Sequence, residues 1–224
     1  MNRQPIEIGE WYHCYNRGVD KRKVFLGPGD YDRFLLLMYT ANGHLPSHTF
    51  HLREKQLQRF LAEDKTKRDQ IVEIGAYSLM PNHFHFVLKE TRAGGIALFM
   101  QKVLTGYTMF FNKKNERTGA LFAGTFKSKH IDDDDYLKLL IPYVHLNSVE
   151  LFDPKWKSGR GSTAAVQQRV SQYPYSSLMD FIGKPRPERK IIGDAIFELY
   201  DSLPSAREML DDAKEYFTQT NTEV

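Results

Sequence analysis

The sequence predicts an α+β fold, an antiparallel sheet covered by helices. Three observations carry that prediction. Short β-type blocks rich in apolar and aromatic residues stand at 11–16, 71–79 and 83–90, the last two separated only by Met80-Pro81-Asn82. Longer stretches with helical spacing lie between and after them. The resulting order is strand, helix, strand, strand, helix, with further helices to follow.

Taken in order, residues 11–16 form an aromatic strand closed by Arg17-Gly18. Gly27-Pro28-Gly29-Asp30 separates two elements, and Asp30 is placed to cap a helix carrying Tyr31, Phe34, Leu35, Leu37 and Met38. Residues 42–70 are polar, with Leu52, Leu57, Phe60 and Leu61 at helical spacing, and read as a solvated insertion around one helix. Two strands at 71–79 and 83–90 meet in a hairpin or sharp bend. After Gly94-Gly95, the residues Ile96, Phe99, Met100, Val103, Leu104, Tyr107, Phe110 and Phe111 share one helical face. Residues 112–119 are a polar exit, and 121–130 either a strand or an ordered loop. Four aspartates at 132–135 precede the apolar pattern Tyr136, Leu137, Leu139, Leu140, Tyr143, Val144 and Leu146. They invite a metal-site reading, yet aspartate belongs at helix N-caps and first turns, facing the positive end of the dipole, and that reading is preferred. Pro142 is expected to kink this helix. Residues 152–190 are loop-rich and 197–217 mainly helical. The domain organisation read from this walk is one domain over 1–185, with 42–70 inserted, and a C-terminal helical extension over 186–224.

The totals exclude several classes. No stretch approaches the roughly 18 apolar residues of a membrane span, so no membrane partner is expected. The N-terminal residues lack the apolar run of a secretion signal, which makes the cytoplasm the expected location. Cys14 is the only cysteine, so neither an internal disulfide nor a Cys-rich zinc site is available. A net charge of +3 is too mild to indicate a polyanionic partner by itself.

Chemistry concentrates around 83–107. Side chains alternate across a strand, so His83 and His85 share one face while Phe84 and Phe86 take the other. Two imidazoles side by side on a rigid backbone suit two ligands of one divalent metal. Tyr107, in the helix expected to pack back over the sheet, is the candidate nucleophile. A phenol of reference pKa about 10 needs its anion stabilised, and a divalent cation would do that while polarising a phosphate.

Tyr12-His13-Cys14-Tyr15-Asn16-Arg17-Gly18, with Asp20-Lys21-Arg22 and Val24-Phe25, resembles the opening of the REP-associated tyrosine transposases. These are single-tyrosine relatives of the small single-strand insertion-sequence transposases, named HUH for their His-hydrophobic-His metal motif. The block from Tyr77 through Met80-Pro81-Asn82-His83-Phe84-His85 to Leu88 is similar to that motif. Tyr107, Phe111-Asn112, Thr118-Gly119-Ala120-Leu121-Phe122 and Gly124 resemble the tyrosine helix and its exit loop. Tyr136-Leu137, Tyr143-Val144-His145-Leu146-Asn147 and Tyr173-Pro174-Tyr175-Ser176-Ser177 continue the likeness to about residue 185. Departures are Thr125, where arginine is expected, and Ser148, where proline is common.

The resemblance implies a ferredoxin-like core, Mg²⁺ or Mn²⁺, and attack on single-stranded DNA giving a 5′-phosphotyrosine and a free 3′-hydroxyl. It further implies hairpin-forming, repetitive palindromic DNA as partner. The family's third metal ligand comes from the tyrosine helix; Phe111 cannot serve, and Asn112 is either that ligand or a helix cap. Candidate DNA contacts are Arg17, Lys21, Arg22 and Lys23, then Lys113, Lys114 and Arg117, then Lys127, Lys129 and His130. A further basic run, Lys184, Arg186, Arg189 and Lys190, either grips a hairpin stem or is a soluble linker. His13 reads as a satisfied core histidine, and His48 with His51 as a weak ligand pair. A monomer is favoured over a homodimer, and a hairpin-binding protein without cleavage is the alternative function.

Overall fold

The structure is a computed structural model describing residues 5–43, 57–63, 69–154, 156 and 164–220. Its four-stranded antiparallel sheet comprises β1 (Trp11–Arg17), β2 (Val72–Met80), β3 (His83–Glu90) and β4 (Lys127–Ile131), in the order β2-β3-β1-β4. Helix α1 (Pro28–Ala41) follows β1 and α3 (Gly95–Lys114) follows β3, with the short α2 (Leu57–Glu63) between α1 and β2. This is the α+β, ferredoxin-like arrangement expected. Helix α4 (Asp134–Leu146) then crosses the other side of the sheet, followed by α5 (Ala164–Val170), α6 (Leu178–Phe181) and α7 (Ala206–Thr220).

Alternation along the strands decides which layer goes where. Phe84 and Phe86 meet Phe34 of α1, and Phe86 also meets Phe99 of α3. The opposite face carries His13 and His85 and is covered by Tyr143 of α4. Helix α7 packs on α4 through the buried Met209, Leu210 and Ala213. Ile191, Ile192 and Ile196 join the same core.

Helix boundaries follow local chemistry. Asp133 caps α4 by accepting from the Tyr136 amide at 2.7 Å, so the aspartate run is a helix start, as expected. The α-helix continues through Pro142 to Leu146. Helix α1 starts earlier than Asp30: Gly27 is its cap and Pro28 its first residue. Asp30 instead reaches back to the Leu26 amide (2.7 Å) and accepts from Lys114 Nζ (2.9 Å). The 197–217 helix divides into a 3₁₀ turn at Phe197–Leu199 and α7. Within the expected insertion, residues 57–63 form α2, while Leu52, His48 and His51 lie outside the described residues.

The edge of β2 is covered by 175–177, with the Leu79 amide donating to Tyr175 O (2.9 Å) and the Ser177 amide to Tyr77 O (3.0 Å). On β4, His130 bridges Glu10 Oε2 (3.0 Å) and Asp132 Oδ1 (2.8 Å). No helix among the described residues is long and apolar enough to cross a membrane.

The β3–α3 junction rests on Glu90, which is fully buried and accepts from the Gly95 amide (3.0 Å) and the Ile96 amide (2.7 Å). A carboxylate here meets the positive end of α3, while a Cβ on Gly95 would stand 2.4 Å from Ile71 O. Two charge-assisted bonds are lost in Glu90→Ala, which is expected to reduce unfolding free energy by about 2–4 kcal/mol in urea titrations. For His130, the hydrogen bond to Glu10 chiefly raises the pKa above its ordinary 6.5. The raised folded-state pKa means the contribution is complete below 6.5 and lost as pH rises through that higher value. Wild type should therefore exceed His130→Gln in stability most below about pH 6.5, and the gap should narrow as pH rises above it.

Candidate active site

Antiparallel pairing of β1 with β3 sets Tyr15 opposite His85 and Arg17 opposite His83. On the face beneath α4, His13 Nε2 and His85 Nδ1 share a hydrogen bond of 2.9 Å, with the rings stacked at 5.1 Å. Burial pushes His13 down to about 3, so it is neutral at physiological pH. One hydrogen therefore lies between the two rings. When His85 Nδ1 donates it, the lone pair of His85 is on Nε2, the state a metal ligand requires. His83 Nδ1 pairs with Asn82 Oδ1 at 2.7 Å, which orients the His83 ring in the same way. The His83 and His85 rings are 5.1 Å apart and nearly perpendicular.

Two tyrosines stand against the imidazoles: Tyr15 of β1, stacked on His85 at 5.7 Å and 5.0 Å from His13, and, from the helix above, Tyr143. Its ring is edge-on to His85 (5.9 Å) and to His13 (6.0 Å). It projects from α4, whose last turn is fixed by Asn147 Nδ2 donating to Tyr143 O at 2.8 Å. Burial pushes the Tyr143 phenol up to about 12, opposed by a hydrogen bond from the Asn147 side chain.

Beside the imidazoles opens a cleft of about 840 Å³ lined by His83, His85 and Tyr15. Four cations line it, Arg17, Lys21, Lys23 and Lys127, and a single carboxylate, Glu150. Lys127 Nζ stands 5.8 Å from the centre of the Tyr15 ring. Asp20 and Lys21 adopt left-handed backbone angles (φ 54° and 58°) in the turn at the cleft wall, a strained conformation for non-glycine residues. Hydrogen bonds from the Gly18 amide to Asn82 O (2.8 Å) and from the Val19 amide to Leu121 O (3.0 Å) hold that turn.

Tyr107 is corrected. It lies on the far side of the sheet, fully buried among Phe25, Phe34 and Phe122, and its hydroxyl donates to Val24 O at 2.5 Å. Desolvation drives its pKa far above the ordinary phenol value. The periodicity that put it on the apolar face of α3 is the reason: that face packs on Phe84 and Phe86, away from the histidines. Asn112 is corrected with it. Its Nδ2 donates to Gly119 O (2.9 Å) and its Oδ1 accepts from Arg117 (2.5 Å), so it ties down the α3 exit loop.

The basic residues divide likewise. Arg17, Lys21 and Lys127 line the cleft, and Lys129 lies on β4 beside them, donating to the Tyr136 hydroxyl at 2.9 Å. Arg22 bonds back to Val19 O in its own turn. Lys114 pairs with Asp30 and Arg117 with Asn112 and Ala120 O, away from the cleft, and the exposed Lys113 shares that end of α3. Of the late basic run, Arg186 is locked to Asp180 and Arg189 to Asp194, while Lys190 donates to Leu61 O. His13 and Tyr143 were both within quoted motifs but read as core; strand parity with His85 was the available signal for His13. Among the described residues, no group of three His, Cys, Asp or Glu side chains is gathered so as to hold a metal as it stands.

Neither a protein-family model nor a curated relative matches the sequence. Among solved structures, the chain is similar to a REP-associated tyrosine transposase bound to a REP hairpin, at 14% identity and a TM-score of 0.47. The match covers 84% of this chain and 88% of that one.

Tyr107→Phe removes the donor to a buried carbonyl and nothing else. It is expected to lower stability by about 1–2 kcal/mol in urea titration. A variant as stable as wild type would show that the Val24 bond contributes nothing.

Proposed function

We propose that the chain is a metal-dependent single-stranded DNA endonuclease and strand transferase whose nucleophile is Tyr143. The observation that carries the reading is Tyr143 packed edge-on against His85, which itself lines a cleft carrying four cations. The sequence resemblance adds the substrate, DNA that folds into hairpins at repetitive palindromic elements.

His83 and His85 project from one face of β3, with His13 and Asn82 orienting their rings, and supply two nitrogen donors suited to a divalent cation. His83 and His85 would hold Mg²⁺ or Mn²⁺, which supplies Lewis acidity at the phosphate. Arg17, Lys21, Lys23 and Lys127 would position the strand through its phosphates. The Tyr143 oxygen bonds to phosphorus as the bond to the 3′-oxygen breaks, with net transfer of the phenol proton to the departing 3′-oxygen. The products are a 5′-phosphotyrosine and a free 3′-hydroxyl, and reversal rejoins the strand. Asn147 orients the phenol from one helical turn below. The covered β2 edge is consistent with action as a monomer.

The test is denaturing electrophoresis after incubation with Mn²⁺ and labelled hairpin oligonucleotides. Wild type and Tyr107→Phe are expected to give a protein-linked DNA band that Tyr143→Phe lacks. A band retained by Tyr143→Phe removes it from the mechanism. Hairpin binding without any adduct would instead favour a DNA-hairpin-binding protein that does not cut.

A further inference from the structure

We propose that Tyr15 is a base-stacking platform, taking an unpaired nucleobase next to the phosphate that reaches the imidazoles; this rests on the function proposed above. The pairing of three strands places it. Tyr15 of β1 stands opposite His85 of β3 on one side and opposite Lys127 of β4 on the other. Directly opposed residues of an antiparallel sheet share a face, with Cβ atoms about 5 Å apart. The sheet therefore carries a row that runs cation, phenol, imidazole. Arg17, two residues along β1, shares that face and stands opposite His83. The phenol ring is thus bracketed by cations suited to phosphates and by the two histidines.

Its surroundings are those of a platform and not of a core residue. Tyr15 lines the cleft and is half-buried, whereas Phe84, the other phenyl ring in that lining, is fully buried. Stacking on His85 at 5.7 Å and Lys127 Nζ at 5.8 Å from the ring centre hold its orientation. The backbone beneath is rigid: β1 is paired on both sides, and Asn16 Nδ2 donates to Gly124 O at 3.1 Å. A ring already fixed in place loses little freedom when a ligand covers it.

Cations alone hold any phosphate backbone, paired or unpaired. An aromatic ring among them adds a requirement for a base whose face is free, and it accepts every base because each has a π face. A base within a duplex has both faces stacked already. Tyr15 therefore selects single strand over stem without reading sequence.

The experiment is fluorescence-anisotropy binding of the full chain at low salt in EDTA, so that neither metal nor chemistry contributes. Two labelled linear oligonucleotides of equal length and charge are compared, oligothymidine and the same backbone made abasic throughout. Tyr15→Ala is expected to weaken oligothymidine binding by about fivefold or more and to leave the abasic oligonucleotide unaffected. Tyr15→Phe keeps the π face and should bind both as wild type does. Unchanged oligothymidine affinity in Tyr15→Ala overturns the platform and leaves the proposed function standing. Equal losses on both oligonucleotides also overturn it, because Tyr15 then supports the cleft and not a base. Wild type that binds neither overturns the platform as well, and the covalent adduct, assayed separately, then decides the proposed function. Circular dichroism establishes that each variant is folded. Should Tyr15→Ala unfold, Tyr15→Leu serves: it keeps apolar bulk without a ring, and wild-type affinity for oligothymidine there overturns the assignment.

Discussion

The two-residue period of β3 is the constraint on which the rest of the structure depends. Four consecutive residues, His83-Phe84-His85-Phe86, are sorted by it into an imidazole face and a phenyl face. Helices α1 and α3 must cover the phenyl face, because burying those rings is the principal apolar gain available to this strand. Whatever covers the imidazole face must be chemically compatible with polar rings. That segment is α4, and the residue it presents is Tyr143. A one-residue register slip would exchange the faces and bury both imidazoles in the aromatic core.

The imidazole face is built from a buried polar pair, and such a pair is stable only when its hydrogen bonds are satisfied. His13 and His85 bond to each other across neighbouring strands, and burial keeps the His13 imidazole uncharged. The cations are confined to the solvent side of the same cleft. The site is thus graded from a buried imidazole pair through the half-buried His83 to an exposed cationic rim.

Much of this was legible in the sequence because it depends on short-range periodicity. The bounds of β3, the capping role of Asp133 and the shared face of His83 and His85 all follow from local pattern. The identity of the tyrosine does not. Tyr107 and Tyr143 both occupy apolar helical faces, and helical periodicity shows that a residue is buried without showing against which side of the sheet. That distinction is set by the crossing of the chain from α3 through β4 to α4, a long-range property. Asn112 followed the same error, being read from its nearness to Tyr107.

Burial of Tyr143 has a mechanistic consequence. With 1% of its surface exposed, the phenol is out of reach of a DNA phosphate in this conformation. Its raised pKa keeps it protonated at neutral pH, which makes it a poor nucleophile at rest. Helix α4 itself is a costly element to displace, since Leu137, Leu140, Ile141 and Val144 are buried in the core and α7 packs against it. The cheaper movements lie at the cleft: the half-buried Tyr15, and the turn that carries Glu150 and the exposed Leu151. These border the imidazoles as well as the phenol. Under the proposed function, a strand and a cation entering the cleft would press on these movable parts rather than on α4 itself. For a covalent nuclease, a phenol kept buried and protonated until the cleft is filled would be an advantage.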